Sequence, residues 1–114
     1  MKNLALAALT ILAVSACAVE TDTIVKREKL PMSASQVQMV KTTIGRGLKD
    51  PRSAQYQNIR MVRNTNQSGT SHTLVCGEVN AKNSYGAYVG FKMFVGRFQG
   101  KGFTVYNRNA AYCG

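Results

Sequence analysis

The sequence predicts an α+β domain in which one N-terminal helix packs on a roughly four-stranded antiparallel sheet, cross-linked by one disulfide. Three observations carry this. An apolar stripe at helical spacing joins Val37, Val40, Ile44 and Leu48; the later segments alternate with period two between Gly- and Asn-rich breaks; and Cys76 and Cys113 are left to pair. A helix followed by a run of strands resolves into two layers, the helix covering one sheet face. The 114 residues hold one such domain, and 45% hydrophobic with 18% charged residues suits a folded chain.

The chain opens with a leader. Lys2 supplies a positive start, and residues 4–14 (LALAALTILAV) form an apolar run. That run has signal-peptide length and falls short of the about 20 residues a bilayer core requires. It ends in Val14-Ser15-Ala16-Cys17, which resembles the bacterial lipobox: an aliphatic residue, two small ones, then the cysteine that is lipidated before cleavage on its N-terminal side. Ordinary cleavage after Ala18 also fits, since Ala16-Cys17-Ala18 reads as a small-x-small site. The lipoprotein reading divides the chain into a signal peptide (1–16), lipidated Cys17 with a tether (17–32) and a domain (33–114). Ala18 in place of Asp implies, by resemblance to enterobacterial sorting, an outer-membrane anchor facing the periplasm.

Residues 18–31 show no sustained apolar period and contain Lys26-Arg27-Glu28-Lys29, so they are expected as a solvated tether. The helix follows. Ser33 with Gln36 forms a capping box and Met32 with Val37 a hydrophobic staple, while Asp50-Pro51 is expected to stop the helix. Strands are expected over 56–63, 73–82 and 91–98, the last placing Phe91, Met93 and Val95 on one apolar face. Gly100-Lys101-Gly102 then turns the chain so that Phe103 and Val105 continue that face.

The cysteine count is odd, at three. Lipidation consumes Cys17 and leaves Cys76 and Cys113 as a pair for an oxidising compartment. Their spacing is not that of a C-x-x-C redox motif, and lone His72 cannot complete a zinc site with them. A structural disulfide is therefore expected, with no metal and no cofactor.

Charge is the other strong signal. The formal net charge is +10, and loss of Lys2 with the leader lowers it to +9. From residue 53 onward Glu78 is the lone acidic residue. Such a chain favours anionic partners. Export removes nucleic acid as a partner and leaves anionic envelope polymers, headgroups or an envelope protein. Enzymatic activity is not expected. Glycoside hydrolysis usually takes two carboxylates, and the folded part offers Glu78 and Asp50, the latter reading as a turn residue. Cations near Glu78 are expected to hold it ionised in a salt bridge. His72 beside Ser71 lacks a nucleophile elbow and an orienting carboxylate.

The densest polar segment runs from Cys76 to Phe91 (CGEVNAKNSYGAYVGF), preceded at 48–54 by LKDPRSA. Together they resemble small, uncharacterised proteobacterial envelope proteins that share patterns like L-K-D-P-x-S-A and C-G-x-V-N-x-K-N-x-x-G-G-Y-x-G-x-x-x-F. The resemblance covers residues 48 to about 94 and implies an exported domain without assigning an activity. It departs at Ala87, where a second glycine is usual, putting any positive φ there in question. Read physically, Asn80, Lys82 and Asn83 stand at a strand end before Tyr85 and Tyr88. That combination suits carbohydrate or peptide recognition, and it equally suits asparagines capping turn backbone while the tyrosines pack on the sheet.

Overall fold

Ser33 caps the helix as its sequence context demands. Its hydroxyl accepts from the Gln36 backbone N–H at 3.2 Å and the Gln36 side chain accepts from the Ser33 N–H at 2.9 Å, so both halves of the capping box are made. The computed structural model describes residues 22–106 and 112–114, so the leader, Cys17 and the alternative cleavage site lie outside the described residues. Helix α1 spans Ala34–Arg46. It stops at a Gly47 cap, earlier than the expected stop at Asp50-Pro51; Pro51 instead opens a single 3-10 turn, Pro51–Ser53. Val40 and Ile44 are buried from the predicted stripe, and Leu48 packs on the same core from beyond the helix end. Gly45 is buried too, its bare Cα lying against Pro51 and the Tyr56 hydroxyl.

The sheet has five strands, one more than expected. They are β1 (Ile24–Leu30), β2 (Gln55–Asn66), β3 (Ser71–Asn80), β4 (Lys92–Gln99) and β5 (Gly102–Tyr106), ordered β1-β2-β3-β4-β5 with every neighbouring pair antiparallel. The extra strand comes from the segment read as tether. Residues 24–30 form an edge strand whose middle is charged, so no apolar alternation announces it. The ladder to β2 and charges across it hold it: Glu28 faces Arg63 and takes Lys26 Nζ at 2.8 Å and Arg63 Nη1 at 3.9 Å. The Lys26 ammonium, by hydrogen bond and charge, keeps the Glu28 carboxyl below the usual carboxylate range. Charged side chains on an edge strand also discourage pairing with another chain.

Residues paired across an antiparallel ladder share a face, which sorts the sheet into two sides. On the helix side, Val75, Val79, Phe94 and Phe103 close on Val40 and Ile44. Two glycines make room for rings: Phe94 lies where a Gly77 Cβ would be, and Phe103 where a Gly96 Cβ would be. Phe98 meets Phe103 edge to face at 5.3 Å between centroids. This corrects the predicted phase of β4. Phe94 and Phe98 face the helix, whereas Met93 and Phe91 are exposed and Val95 is buried on the opposite side. Alternation alone could not choose, because β4 buries residues on both faces.

On that opposite side lie Val62, Leu74, Cys76 and Val95, covered by Cys113. The disulfide between Cys76 and Cys113 is formed, with Cα atoms 6.0 Å apart. Asn64, 2% exposed, donates to the Tyr112 carbonyl at 2.7 Å and accepts from Arg27 Nε at 3.1 Å. Arg60 reaches the Cys113 carbonyl at 3.4 Å. The last described residues are thus held across the face by one covalent bond and these polar ones.

Candidate functional site

The segment joining β3 to β4 is built by its own asparagines. Asn83 Oδ1 accepts from the backbone N–H groups of Tyr85 at 2.9 Å and Ala87 at 3.2 Å, an Asx turn tightened by the Gly86 N–H donating to Asn83 O at 3.0 Å. Asn80 Oδ1 accepts from the Gly90 N–H at 3.0 Å. Gly86 and Gly90 take the positive φ values the path requires, 79° and 96°. Among the described residues Asn58 is the one residue other than glycine with positive φ, so Ala87 departs from the pattern without backbone strain.

Ser53 ties this loop to the rest of the fold, a role the sequence did not single out. Its hydroxyl donates to the Asp50 carbonyl at 2.7 Å and accepts from the Lys82 N–H at 2.8 Å, and its carbonyl accepts from the Tyr88 hydroxyl at 2.9 Å. Lys82 and Tyr88 form a β-bridge, with the ammonium 5.6 Å from the ring centroid. The 48–54 and 76–91 segments therefore touch through Ser53.

Of the predicted surface, the asparagine carbonyl oxygens are consumed within the loop. Lys82 and Tyr88 are joined to each other, and Tyr85 stands 94% exposed. After Tyr88 the structure exposes side chains that the sequence places on a buried face or passes over: Val89, Phe91 and Met93 are 53%, 44% and 42% exposed, Met93 lying opposite Glu78 on the disulfide side. The signal was present in the Gly-bounded run after Tyr85. It was misread because Phe91 and Met93 were assigned to a buried strand face.

Among the described residues Glu78 has no ion-pair partner, in place of the expected salt bridge. Its Oε2 accepts from the Gln57 amide at 2.7 Å and the Asn58 amide at 3.1 Å; both described ion pairs are on Glu28. A bulge in β2 between Gln57 and Arg60, with Asn58 at φ 55°, brings the two amides to the carboxylate. His72 is exposed at the start of β3.

A cavity of about 250 Å³ lies on the disulfide side, floored by Asn64 and Leu74 and rimmed by Asp22, His72, Arg97 and Tyr106. Its polar groups largely answer one another. Arg97 Nε donates to the Tyr106 hydroxyl at 3.2 Å, and Asp22 accepts from the Ser68 hydroxyl at 2.8 Å and the Asn66 amide at 3.0 Å. The Ser68 hydroxyl, more than any other neighbour, holds the Asp22 carboxyl below its ordinary range. Among the described residues no three His, Cys, Asp or Glu side chains gather as a metal site would require, and no helix is long and apolar enough to cross a membrane.

Compared with known proteins, the chain matches no family model, no curated protein and no solved structure.

Proposed function

We propose that this chain is a non-enzymatic envelope lipoprotein, anchored through Cys17, probing an anionic envelope component with the β3–β4 loop. The lipobox-like Val14-Ser15-Ala16-Cys17 supports the anchor, and Ala18 supports the outer membrane facing the periplasm. The resemblance to small proteobacterial envelope proteins supports export. The observation that carries the binding surface is the loop's internal bonding. Asn80, Asn83 and Ser53 fix its backbone, so the Lys82–Tyr88 pair and the main chain that carries Tyr85 are already ordered, which lowers the entropy lost on binding. Lys82 and Lys92 have no carboxylate partner among the described ion pairs. The non-catalytic reading is supported by Glu78 being engaged by two amides.

A second reading is a tethered protein-binding module, such as an inhibitor of an exported enzyme or an assembly subunit. It is favoured by the exposed Val89 and Phe91, apolar side chains of the kind that protein contacts bury. Affinity recovery of partners from envelope extracts, across a salt titration and with Lys82→Ala, separates the two. A polyanion is expected to be released steeply as salt rises and to be lost with Lys82→Ala. Partners retained at high salt and indifferent to Lys82 would establish the protein-binding module instead.

A further inference from the structure

The two ends of the sheet differ in a way that assigns a direction to the binding surface. Chain entry is fixed at one end. Asp22 takes hydrogen bonds from Ser68 and Asn66, and the Gln67 N–H donates to Thr23 O at 2.8 Å, so the strand leading from the N-terminus is fastened to the β2–β3 turn. That turn, 67–70, reads Gln-Ser-Gly-Thr: uncharged and without an aromatic ring. At the other end β2 begins opposite Asn80 and β4 begins opposite Val79, which places the 83–91 loop there. Strand β3 has 10 residues, so the ends are separated by about 30 Å at ~3.3 Å per residue.

Residues 18–21 are all that separates Cys17 from Asp22. Fully extended, that path reaches at most about 18 Å, less than the length of the sheet. We infer that the 83–91 loop is directed away from the anchoring membrane and docks on a carboxylate-bearing wall glycan, not on that membrane's headgroups. This rests on Cys17 being the anchor. Chemical fit favours the glycan. Sugar rings present C–H faces that stack on exposed aromatic rings, which Tyr85 and Phe91 supply, while Lys82 and Lys92 meet carboxylates. The β2–β3 turn at the anchored end has neither feature, and the β4–β5 hairpin beside it adds exposed Lys101 without an exposed Tyr or Phe ring.

The test is co-sedimentation of the full-length lipidated protein, held in detergent, with purified peptidoglycan sacculi. Parallel samples contain anionic phosphatidylglycerol vesicles, and folding of each variant is checked by thermal unfolding. Sacculi are expected to retain the protein, with binding about three- to tenfold weaker for Tyr85→Ser or Phe91→Ser and unchanged for Ser68→Ala. Sacculus binding indifferent to Tyr85 and Phe91, absent altogether, or replaced by loop-dependent capture on vesicles would overturn the inference. Mass spectrometry of the same preparation reads the anchor separately. An N-terminus without acyl chains would remove both the anchored reading and the direction assigned here, whatever the sacculi retain.

Discussion

The two faces of the sheet are closed by different physics. On one, α1 lays Val40 and Ile44 onto Val75, Val79, Phe94 and Phe103, so burial of apolar surface does the holding. On the other, Val62, Leu74 and Val95 form a smaller apolar patch whose cover is Cys113, fixed by the bond to Cys76, by a hydrogen bond from Arg60 to the Cys113 carbonyl and by one from Asn64 to the preceding Tyr112 carbonyl. No cysteine is among the buried residues of the first face. The second depends on redox conditions. A domain of this size has few apolar side chains for two full cores, and a cross-link substitutes for the missing one.

Three experiments sharpen this contrast. Truncating Phe94→Ala removes the ring that covers Gly77 on the helix side and is expected to cost about 3–5 kcal/mol, undocking α1. Because the chain contains no tryptophan, circular dichroism during denaturant titration is the suitable readout. A Phe94→Ala midpoint close to wild type would mean that the helix contributes little. Replacing Cys76 and Cys113 together by serine opens a loop with a sequence separation of 37 and is expected to cost about 4 kcal/mol. Here the far-ultraviolet helix signal should persist under native conditions while a hydrophobic dye gains access to the Val62, Leu74 and Val95 patch. Simultaneous loss of both would show the two faces to be one cooperative unit.

The smallest effect belongs to Tyr56, whose hydroxyl donates to the Lys41 carbonyl at 3.0 Å and so pins β2 to α1. Tyr56→Phe is expected to cost about 1 kcal/mol at neutral pH. Burial raises the Tyr56 pKa above its ordinary value. The unfolded chain therefore loses this proton first. Stability from the neutral phenol is complete below about pH 10 and declines as pH climbs through the folded-state value. Comparing denaturation midpoints of wild type and Tyr56→Phe from pH 9 upward checks the sign: the gap should narrow.

Much of the architecture was legible in the sequence because local chemistry dictated it. The Ser33–Gln36 box, the Val40 and Ile44 stripe, the strand breaks at glycine and asparagine, and the pairing of the two cysteines all follow from short-range rules. What escaped needed tertiary information. β1 was hidden because its membership depends on the Glu28–Arg63 ladder rather than on apolar alternation. The phase of β4 was hidden because Phe94 and Val95, adjacent in sequence, are both buried on opposite faces. In the candidate site, Asn80, Lys82, Asn83, Tyr85 and Tyr88 were visible as a polar and aromatic run. The partner that organises them, Ser53, is distant in sequence, and no spacing rule points to it.

Having β1 as the first described element also bears on how the domain would carry mechanical load. Were Cys17 lipidated and the 83–91 loop bound to a ligand as proposed, a pull between them would act along the strands, because chain entry and loop sit at opposite sheet ends. The β1–β2 bonds are then strained in parallel, as in shear, instead of being opened one after another like a zipper. The edge strand that looked like slack rope is the part of the molecule best placed to keep the domain folded under tension.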